Sequence, residues 1–258
     1  MYKLHRLPFE ELIKNIVDIT DKHKAGFTFP TVASVANEKP ELLKSLTRSG
    51  CEVAVHGYKH LKYPLLSQTK QKEDIRKALE TYARLGVKVN GFRAPYNSYD
   101  SNTPRMIEEA GFLWDAGIGN AQENRTRTDF FRVKIDGRES KFVCIPLNKL
   151  SDDVMIEKYQ YTPDQMTMAL KGVLDEAKKS RALTMFDLHP IRMGQPENAI
   201  VLDRLIAYGK SIGGWFPTVS DAVNYRMGHN DWGASEFCCL LTGDIDTFHF
   251  RDYLKRLF

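Results

Sequence analysis

A short stretch of the chain decides the fold, because an apolar strand runs directly into two histidines that are four residues apart. The stretch is Glu52-Val53-Ala54-Val55-His56-Gly57-Tyr58-Lys59-His60. Polar residues that follow a buried strand lie at the edge of a parallel sheet where functional side chains collect. If the loop makes a helical turn, this spacing places both imidazoles on one side, within reach of one metal ion. The alternative is two surface histidines in a loop, and the pair alone does not decide between the two.

Short apolar runs recur on both sides of this stretch and alternate with amphipathic helical patterns. The strand candidates are Gly26–Phe29, Cys51–Val55, Val89–Phe92, Phe112–Trp114, Phe142–Ile145, Leu183–Leu188, Trp215–Thr218 and Phe237–Thr242. The helix candidates are Pro8–His23, Pro40–Ser49, Ser67–Leu85, Pro104–Ala110, Pro163–Lys179, Ala199–Ser211 and Phe250–Leu257. This alternation predicts an α/β fold with a parallel sheet and crossover helices. With seven to eight parallel strands, we expect a distorted (β/α) barrel in which residues 1–258 form a single domain.

Other chemically capable residues also follow strand candidates. Arg93 can pair with a carboxylate, and His189 can donate a proton near neutral pH. Asp187, two residues before His189, lies on the same side of the strand and could orient it. Asp244 and Asp246 could divide two tasks, one binding a metal and one taking a proton from water. The structural alternatives are an ordinary salt bridge, a buried histidine and a cap for the tail helix.

The composition is that of a soluble globular protein. Among 258 residues, 42% are hydrophobic and 27% are charged, which allows a sizeable core. The net charge of +4 is small and spread along the chain, so no nucleic-acid binding is expected. No apolar run is long enough to span a bilayer, and no signal peptide is recognisable, so we expect a cytoplasmic protein that does not bind membranes. The four cysteines form no CxxC pair and are interpreted as reduced and structural. The oligomeric state stays open.

Taken together, these segments resemble the polysaccharide deacetylase family, carbohydrate esterase family 4. The stretch 52–60 is similar to the family's His-x-x-x-His motif, and Gly91-Phe92-Arg93-Ala94-Pro95-Tyr96 is similar to its Arg-x-Pro-Tyr motif. Leu188-His189 matches the late Leu-x-His motif only loosely, because the two residues are adjacent here. The resemblance covers most of the chain, with the motifs in the family's order.

One departure from the family pattern concerns its first strand, which normally precedes the first helix and ends in an aspartate motif. Here the sequence opens at the helix candidate Pro8–His23, and the segment Leu240–Asp246 resembles the missing strand. We therefore expect a circular permutation with the first strand at the C-terminus. This hypothesis predicts that Phe237–Thr242 lies parallel to and beside Gly26–Phe29.

The resemblance implies metal-assisted removal of an acetyl group from an N-acetylated or O-acetylated sugar or polysaccharide. It implies a divalent metal, with zinc favoured, held by Asp246, His56 and His60. It implies Asp244 as general base oriented by Arg93, with the backbone N–H of Tyr96 stabilising the oxyanion. His189 would protonate the leaving group. Asp244 and Asp246 could exchange roles, because the family often has adjacent aspartates.

Two other functions remain open from the sequence. Some relatives of this family hydrolyse small cyclic amides or ureides, and Leu188-His189-Pro190 resembles that branch. A catalytically inactive barrel that only binds carbohydrate is the second alternative. Tyr58, Tyr63, Tyr99 and Trp114 lie near the motifs and could stack on a sugar ring, although aromatic residues more often belong to the core.

Overall fold

The computed structural model describes residues 7–247. The predicted tail helix Phe250–Leu257 and its basic residues lie outside the described residues. The strands are β1 Thr28–Thr31, β2 Glu52–Val55, β3 Gly91–Phe92, β4 Trp114–Asp115, β5 Lys134–Ile135, β6 Arg138–Glu139, β7 Val143–Cys144, β8 Leu183–Asp187, β9 Gly214–Trp215 and β10 Phe237–Thr242. The helices are α1 Phe9–Lys22, α2 Ala33–Ala36, α3 Pro40–Arg48, α4 Gln68–Leu85, α5 Thr103–Glu109, α6 Pro163–Ser180, α7 Pro190–Met193, α8 Pro196–Ser211 and α9 Val219–Gly228.

The chain divides into two compact units. Of the described residues, the first unit consists of 7–28, 49–51 and 148–244, and the second of 29–48, 52–147 and 245–247. In the first unit, β10 pairs in parallel with β8 and β9, and Thr28 pairs with Thr242. In the second unit, parallel strands follow the order β7-β4-β3-β2-β1, while β5 and β6 form a separate antiparallel pair.

The parallel pairing confirms the predicted α/β fold class. The register between Thr28 and Thr242 also confirms the expected place of β10, parallel to and beside β1. The N–H of Gly243 continues this pairing by donating to the carbonyl of Thr28 at 3.2 Å. All six residues of β10 and all five of β8 are buried. Such continuous apolar strands are typical of parallel sheets covered on both faces.

Local sequence signals explain where several helices begin. Before α6, the Thr162 hydroxyl accepts from the N–H of Gln165, and the Gln165 side chain accepts from the N–H of Thr162. This reciprocal capping box satisfies two amides that the first turn leaves unpaired. The helix expected at Pro104–Ala110 begins one residue earlier, at Thr103, and the Asp100 carboxylate accepts from the N–H of Asn102 and from that of Thr103. A carboxylate is a stronger acceptor for these amides than a threonine hydroxyl.

All four cysteines are free and buried, as the sequence predicted. Tyr63 and Trp114 are fully buried core residues, so the expectation that they stack on a sugar is wrong for both. Among the helices of residues 7–247, none has the length and apolar character needed to cross a membrane.

Candidate functional site

The loop after β2 carries the two candidate metal-binding histidines of the second unit. His56 follows the strand directly, and its N–H donates to the carbonyl of Thr31 at 3.0 Å. The helical turn assumed from the spacing is wrong, because residues 56–60 form an irregular bend. Gly57 makes this bend with φ of +74°, a conformation that side-chain-bearing residues rarely adopt. The bend still brings the two rings together, with centroids 5.0 Å apart.

The orientation of the His56 ring is fixed by its second nitrogen. Nδ1 of His56 lies 2.9 Å from the carbonyl oxygen of Arg93. A carbonyl can only accept, so Nδ1 carries a proton, and in the neutral ring Nε2 presents its lone pair. A backbone oxygen behind a histidine ligand is a common support of metal sites, since it fixes both tautomer and ring orientation.

Asp246 completes the group in the second unit. Its position follows from Ile245, which pairs with Thr31 as an isolated parallel bridge. Oδ1 of Asp246 lies 3.3 Å from Nε2 of His56 and 3.4 Å from Nε2 of His60. The ligand atoms of all three residues lie within 4.8 Å of one another.

The residues fit a divalent ion. Ligand atoms bonded at about 2.1 Å in a tetrahedral arrangement lie about 3.4 Å apart, which agrees with both separations. Two imidazole nitrogens and one carboxylate suit zinc, cobalt, nickel or iron. The side chains of His56 and His60 are 1% and 6% exposed, and that of Asp246 is 29% exposed. The two histidines are therefore shielded from solvent, whereas the aspartate is partly accessible to it.

Arg93 and Asp115 are two buried ionisable residues of the second unit. Both residues are fully buried, and Oδ1 of Asp115 accepts from the N–H of Gly117 at 3.0 Å and of Ile118 at 2.7 Å. Burial raises the pKa of Asp115 to about 7, although these two amides and the Arg93 charge act to lower it. Asp115 was missed from the sequence, where it reads only as the residue after a predicted strand. The predicted pairing of Arg93 with Asp244 stays a prediction.

Tyr96 lies in a strained turn after Arg93. Tyr96 and the following Asn97 have φ values of +60° and +48°, and such left-handed residues each cost roughly 1–3 kcal/mol. The Tyr96 ring lies 4.2 Å from the His60 ring between centroids and is 51% exposed. The ammonium of Lys62, two residues after His60, lies 5.3 Å from the centroid of the Tyr96 ring. The turn therefore places an exposed aromatic ring directly beside a candidate metal ligand.

A second polar group, centred on His189, belongs to the first unit. The His189 backbone N–H donates to Oδ2 of Asp152 at 2.7 Å, and its Nδ1 lies 2.8 Å from Oδ1 of the same carboxylate. Nε2 of His189 lies 4.0 Å from Oδ2 of Asp244. The hydrogen-bonding carboxylate is therefore Asp152, which the sequence interpretation missed, whereas Asp187 was expected to orient the ring. Asp152 lies 37 residues before His189, in a short helical segment that continues into the π-helix Val154–Lys158, so no spacing in the sequence linked the two residues.

The electrostatics of this group keep His189 protonated. Burial would lower the pKa of His189, but the charges of Asp152 and Asp187 and the hydrogen bond to Asp152 raise it well above its ordinary value. A histidine must be neutral to bind a metal, so this environment favours a proton donor. Asp187, His189 and Asp244 also have ligand atoms within 4.8 Å of one another. The protonated ring makes the group around Asp246 the better metal candidate.

Comparisons with known proteins found matches to one described family. Residues 6–113 match the model of a family described as polysaccharide deacetylase. The peptidoglycan-N-acetylmuramic acid deacetylase PdaC of Bacillus subtilis (strain 168) is 25% identical over 173 residues, covering 64% of this chain and 36% of that protein. The chain spans no more than 36% of the length of the curated relatives it matches.

Solved structures share the fold. A protein from Mycobacterium smegmatis described as a polysaccharide deacetylase has a TM-score of 0.74 at 20% identity, covering 85% of this chain and 78% of that one. A structure titled Puue Allantoinase has a TM-score of 0.73 at 21% identity, covering 86% of this chain and 74% of that one. The fold is thus shared by a protein named as a polysaccharide deacetylase and by one named as an allantoinase.

Proposed function

We propose that the chain is a member of the polysaccharide deacetylase family and a metal-dependent hydrolase that removes an acetyl group from an acetylated sugar or polysaccharide; the family match over residues 6–113 and the shared fold support this. One observation carries the proposal: Nε2 of His56 and Nε2 of His60 both face one oxygen of Asp246, at 3.3 and 3.4 Å. Zinc is the proposed metal, because it favours a small set of nitrogen and oxygen ligands with an open position.

The reaction breaks the bond between the acetyl carbon and the sugar nitrogen or oxygen. A new bond forms between that carbon and a water oxygen, and acetate leaves. A divalent ion held by His56, His60 and Asp246 would supply Lewis-acid polarisation of the acetyl carbonyl. The backbone N–H of Tyr96 would donate to the oxygen that becomes negative.

The proton transfers are assigned to two residues of the first unit. Asp244 takes a proton from the attacking water, and His189 gives one to the leaving group. The raised pKa of His189 supports this assignment, because the ring holds its proton at neutral pH. Asp152 holds the ring through Nδ1, which leaves Nε2 as the nitrogen that gives the proton. Arg93 is proposed to orient Asp244.

We also propose that β10 replaces the family's first strand by circular permutation. The parallel register of Thr28 with Thr242 supports this, as does the position of Asp246 beside the two histidines. The metal content of aspartate variants tests both the site and the use of this C-terminal strand.

The experiment is elemental mass spectrometry of the parent protein, Asp246→Ala and Asp244→Ala, with acetate release from acetylated sugars measured in parallel. Asp244→Ala is the matched control, since it removes a carboxylate two residues away. The parent and Asp244→Ala should hold metal, Asp246→Ala should lose it, and both variants should lose acetate release. Metal lost only in Asp244→Ala would reverse the roles of the two aspartates. Metal held by all three proteins would reject the C-terminal strand as part of the site.

A second candidate function is hydrolysis of a small cyclic amide or ureide. The structural similarity to the allantoinase, together with Leu188-His189-Pro190, favours keeping it. Turnover of cyclic ureides without acetate release from acetylated sugars would select this alternative.

A further inference from the structure

A buried carboxylate on α4 accepts three hydrogen bonds from the loop that bears His60. Oδ2 of Asp74 accepts from the N–H of Tyr58 at 2.8 Å and from the hydroxyl of Tyr63 at 2.9 Å. Oδ1 of Asp74 accepts from the N–H of Lys59 at 3.1 Å. The residue is only 7% exposed, although an unpaired aspartate would be costly to bury there. The carboxylate is therefore committed to this loop.

The amides of Tyr58 and Lys59 belong to the segment between the two histidines. This segment has no regular structure, so no hydrogen-bond pattern of a helix or strand fixes the direction in which the His60 side chain points. Two successive amides that converge on one carboxylate form an anion-binding concavity, which sets the backbone dihedrals of both residues. The path from His56 to His60 is thus shaped around the Asp74 carboxylate.

The space around Gly57 shows how closely the Asp74 carboxylate approaches the loop. A Cβ atom on Gly57 would lie 2.9 Å from Oδ2 of Asp74 and 2.9 Å from the carbonyl oxygen of Lys59. Either contact is too short for a side chain. With the Asp74 carboxylate in this position, the bend has room only for a glycine at position 57.

The carbonyls of the same segment accept hydrogen bonds from α2. The N–H of Ala33 donates to the carbonyl of Gly57, and the N–H of Ser34 donates to that of Tyr58, both at 3.0 Å. These donors come from the first turn of α2. The loop is therefore held by α2 through its carbonyls and by Asp74 through its amides.

We propose that Asp74 is a positioning residue for the metal site, which fixes the loop so that His60 meets the ligand atoms of His56 and Asp246. The inference rests on the proposed metal-dependent function and extends it to a residue that touches neither metal nor substrate. Its basis is rigidity: α4 is an 18-residue helix, and it holds an irregular loop through short, charge-assisted bonds. Supporting groups behind ligands typically change metal affinity about 10–100-fold when removed.

A purely structural role for Asp74 is the competing explanation, and Tyr63 separates the two. Tyr63→Phe removes one hydrogen bond from the same carboxylate but leaves both loop amides held. Asp74→Asn keeps the shape of the side chain but places an amide group where the loop presents two donors. The two variants disturb the same buried site, and only one of them releases the backbone between the histidines.

The test combines Co²⁺ titration, followed by visible absorption, with hydrogen–deuterium exchange of metal-free protein. Asp74→Asn should weaken Co²⁺ affinity about 10–100-fold and speed exchange of the amides of Tyr58 and Lys59. Tyr63→Phe should melt earlier but bind Co²⁺ like the parent. Equal affinity in Asp74→Asn and parent, or an equal loss in Tyr63→Phe, overturns the inference alone. A parent that binds no Co²⁺ overturns the proposed metal site and the inference together.

If Asp74→Asn does not fold, Asp74→Glu takes its place. This variant keeps the charge but moves the carboxylate by one methylene. The inference requires both faster exchange of the two loop amides and weaker Co²⁺ binding. Faster exchange with unchanged affinity overturns it, because the loop would then be free to move without consequence for the metal ligands.

Discussion

Replacing Asp115 with asparagine should change how the stability of this protein depends on pH. Asp115 is fully buried, and its pKa is raised to about 7 from an ordinary value of 3.8. A raised carboxyl pKa means that the folded protein holds this proton more tightly than the unfolded chain does. The free energy of unfolding therefore falls as the pH rises from about 4 through about 7. Asparagine cannot lose a proton and lacks this contribution.

The size of the effect follows from the two pKa values. Between about pH 5 and about pH 8, ionising Asp115 lowers the free energy of the unfolded state by about 4 kcal/mol and that of the folded state by about 1.4 kcal/mol. The parent should thus lose about 2–3 kcal/mol relative to Asp115→Asn over this window. At the lower pH the parent carboxyl is neutral, so asparagine is then a close mimic.

The assay is urea denaturation of both proteins at the two pH values with a chelator present. The difference between parent and variant cancels all other titrating groups. Asp203→Asn is the control: the pKa of Asp203 is lowered by its hydrogen bond with Lys22, so this carboxyl is ionised in both states across the window. A stability difference between Asp115→Asn and parent that is the same at both pH values would refute the reasoning.

Two further predictions concern the two polar groups. Asp152→Asn removes a charge that raises the pKa of His189, so the basic limb of the pH–rate profile should move to lower pH. NMR titration of the His189 ring should report the same shift. An unchanged pKa of the ring would contradict the assignment. Gly57→Ala should cost at least about 1–2 kcal/mol in unfolding free energy, because alanine is strained at a positive φ and its Cβ would press on Asp74; an alanine variant as stable as the parent would show that the bend does not require glycine.

Much of the fold could be predicted from the sequence because its signals are local. Thr162 and Gln165 cap α6 through residues three apart, and the apolar run of β10 reads as a buried strand without knowledge of its neighbours. The start of α5 also depends on a contact between residues close together in the chain. Threonine before proline is a good cap by propensity, but Asp100 also reaches the first amides, and the competition is decided by geometry.

The candidate site was likewise predictable only in part from the sequence. Candidate roles for His56, His60, His189 and Asp246 could be proposed from residue type and from position after a strand. The reason given for the histidine pair was wrong, since the loop is a bend and not a helical turn. The pair nevertheless converges, because Gly57 turns the chain.

The sequence by itself determined the parallel α/β class, the cap of α6 and the identity of the chemically capable side chains. These depend on apolar periodicity and on contacts between residues a few positions apart. Only the tertiary structure decided that Asp152 holds His189, that Asp115 is buried in the same unit as Arg93, and that Asp74 holds the loop of His60. Each of these pairs lies 15 or more residues apart in the chain. Their partners are chosen by how strands and helices pack, and the free energy of that packing is spread over many residues and leaves no local pattern.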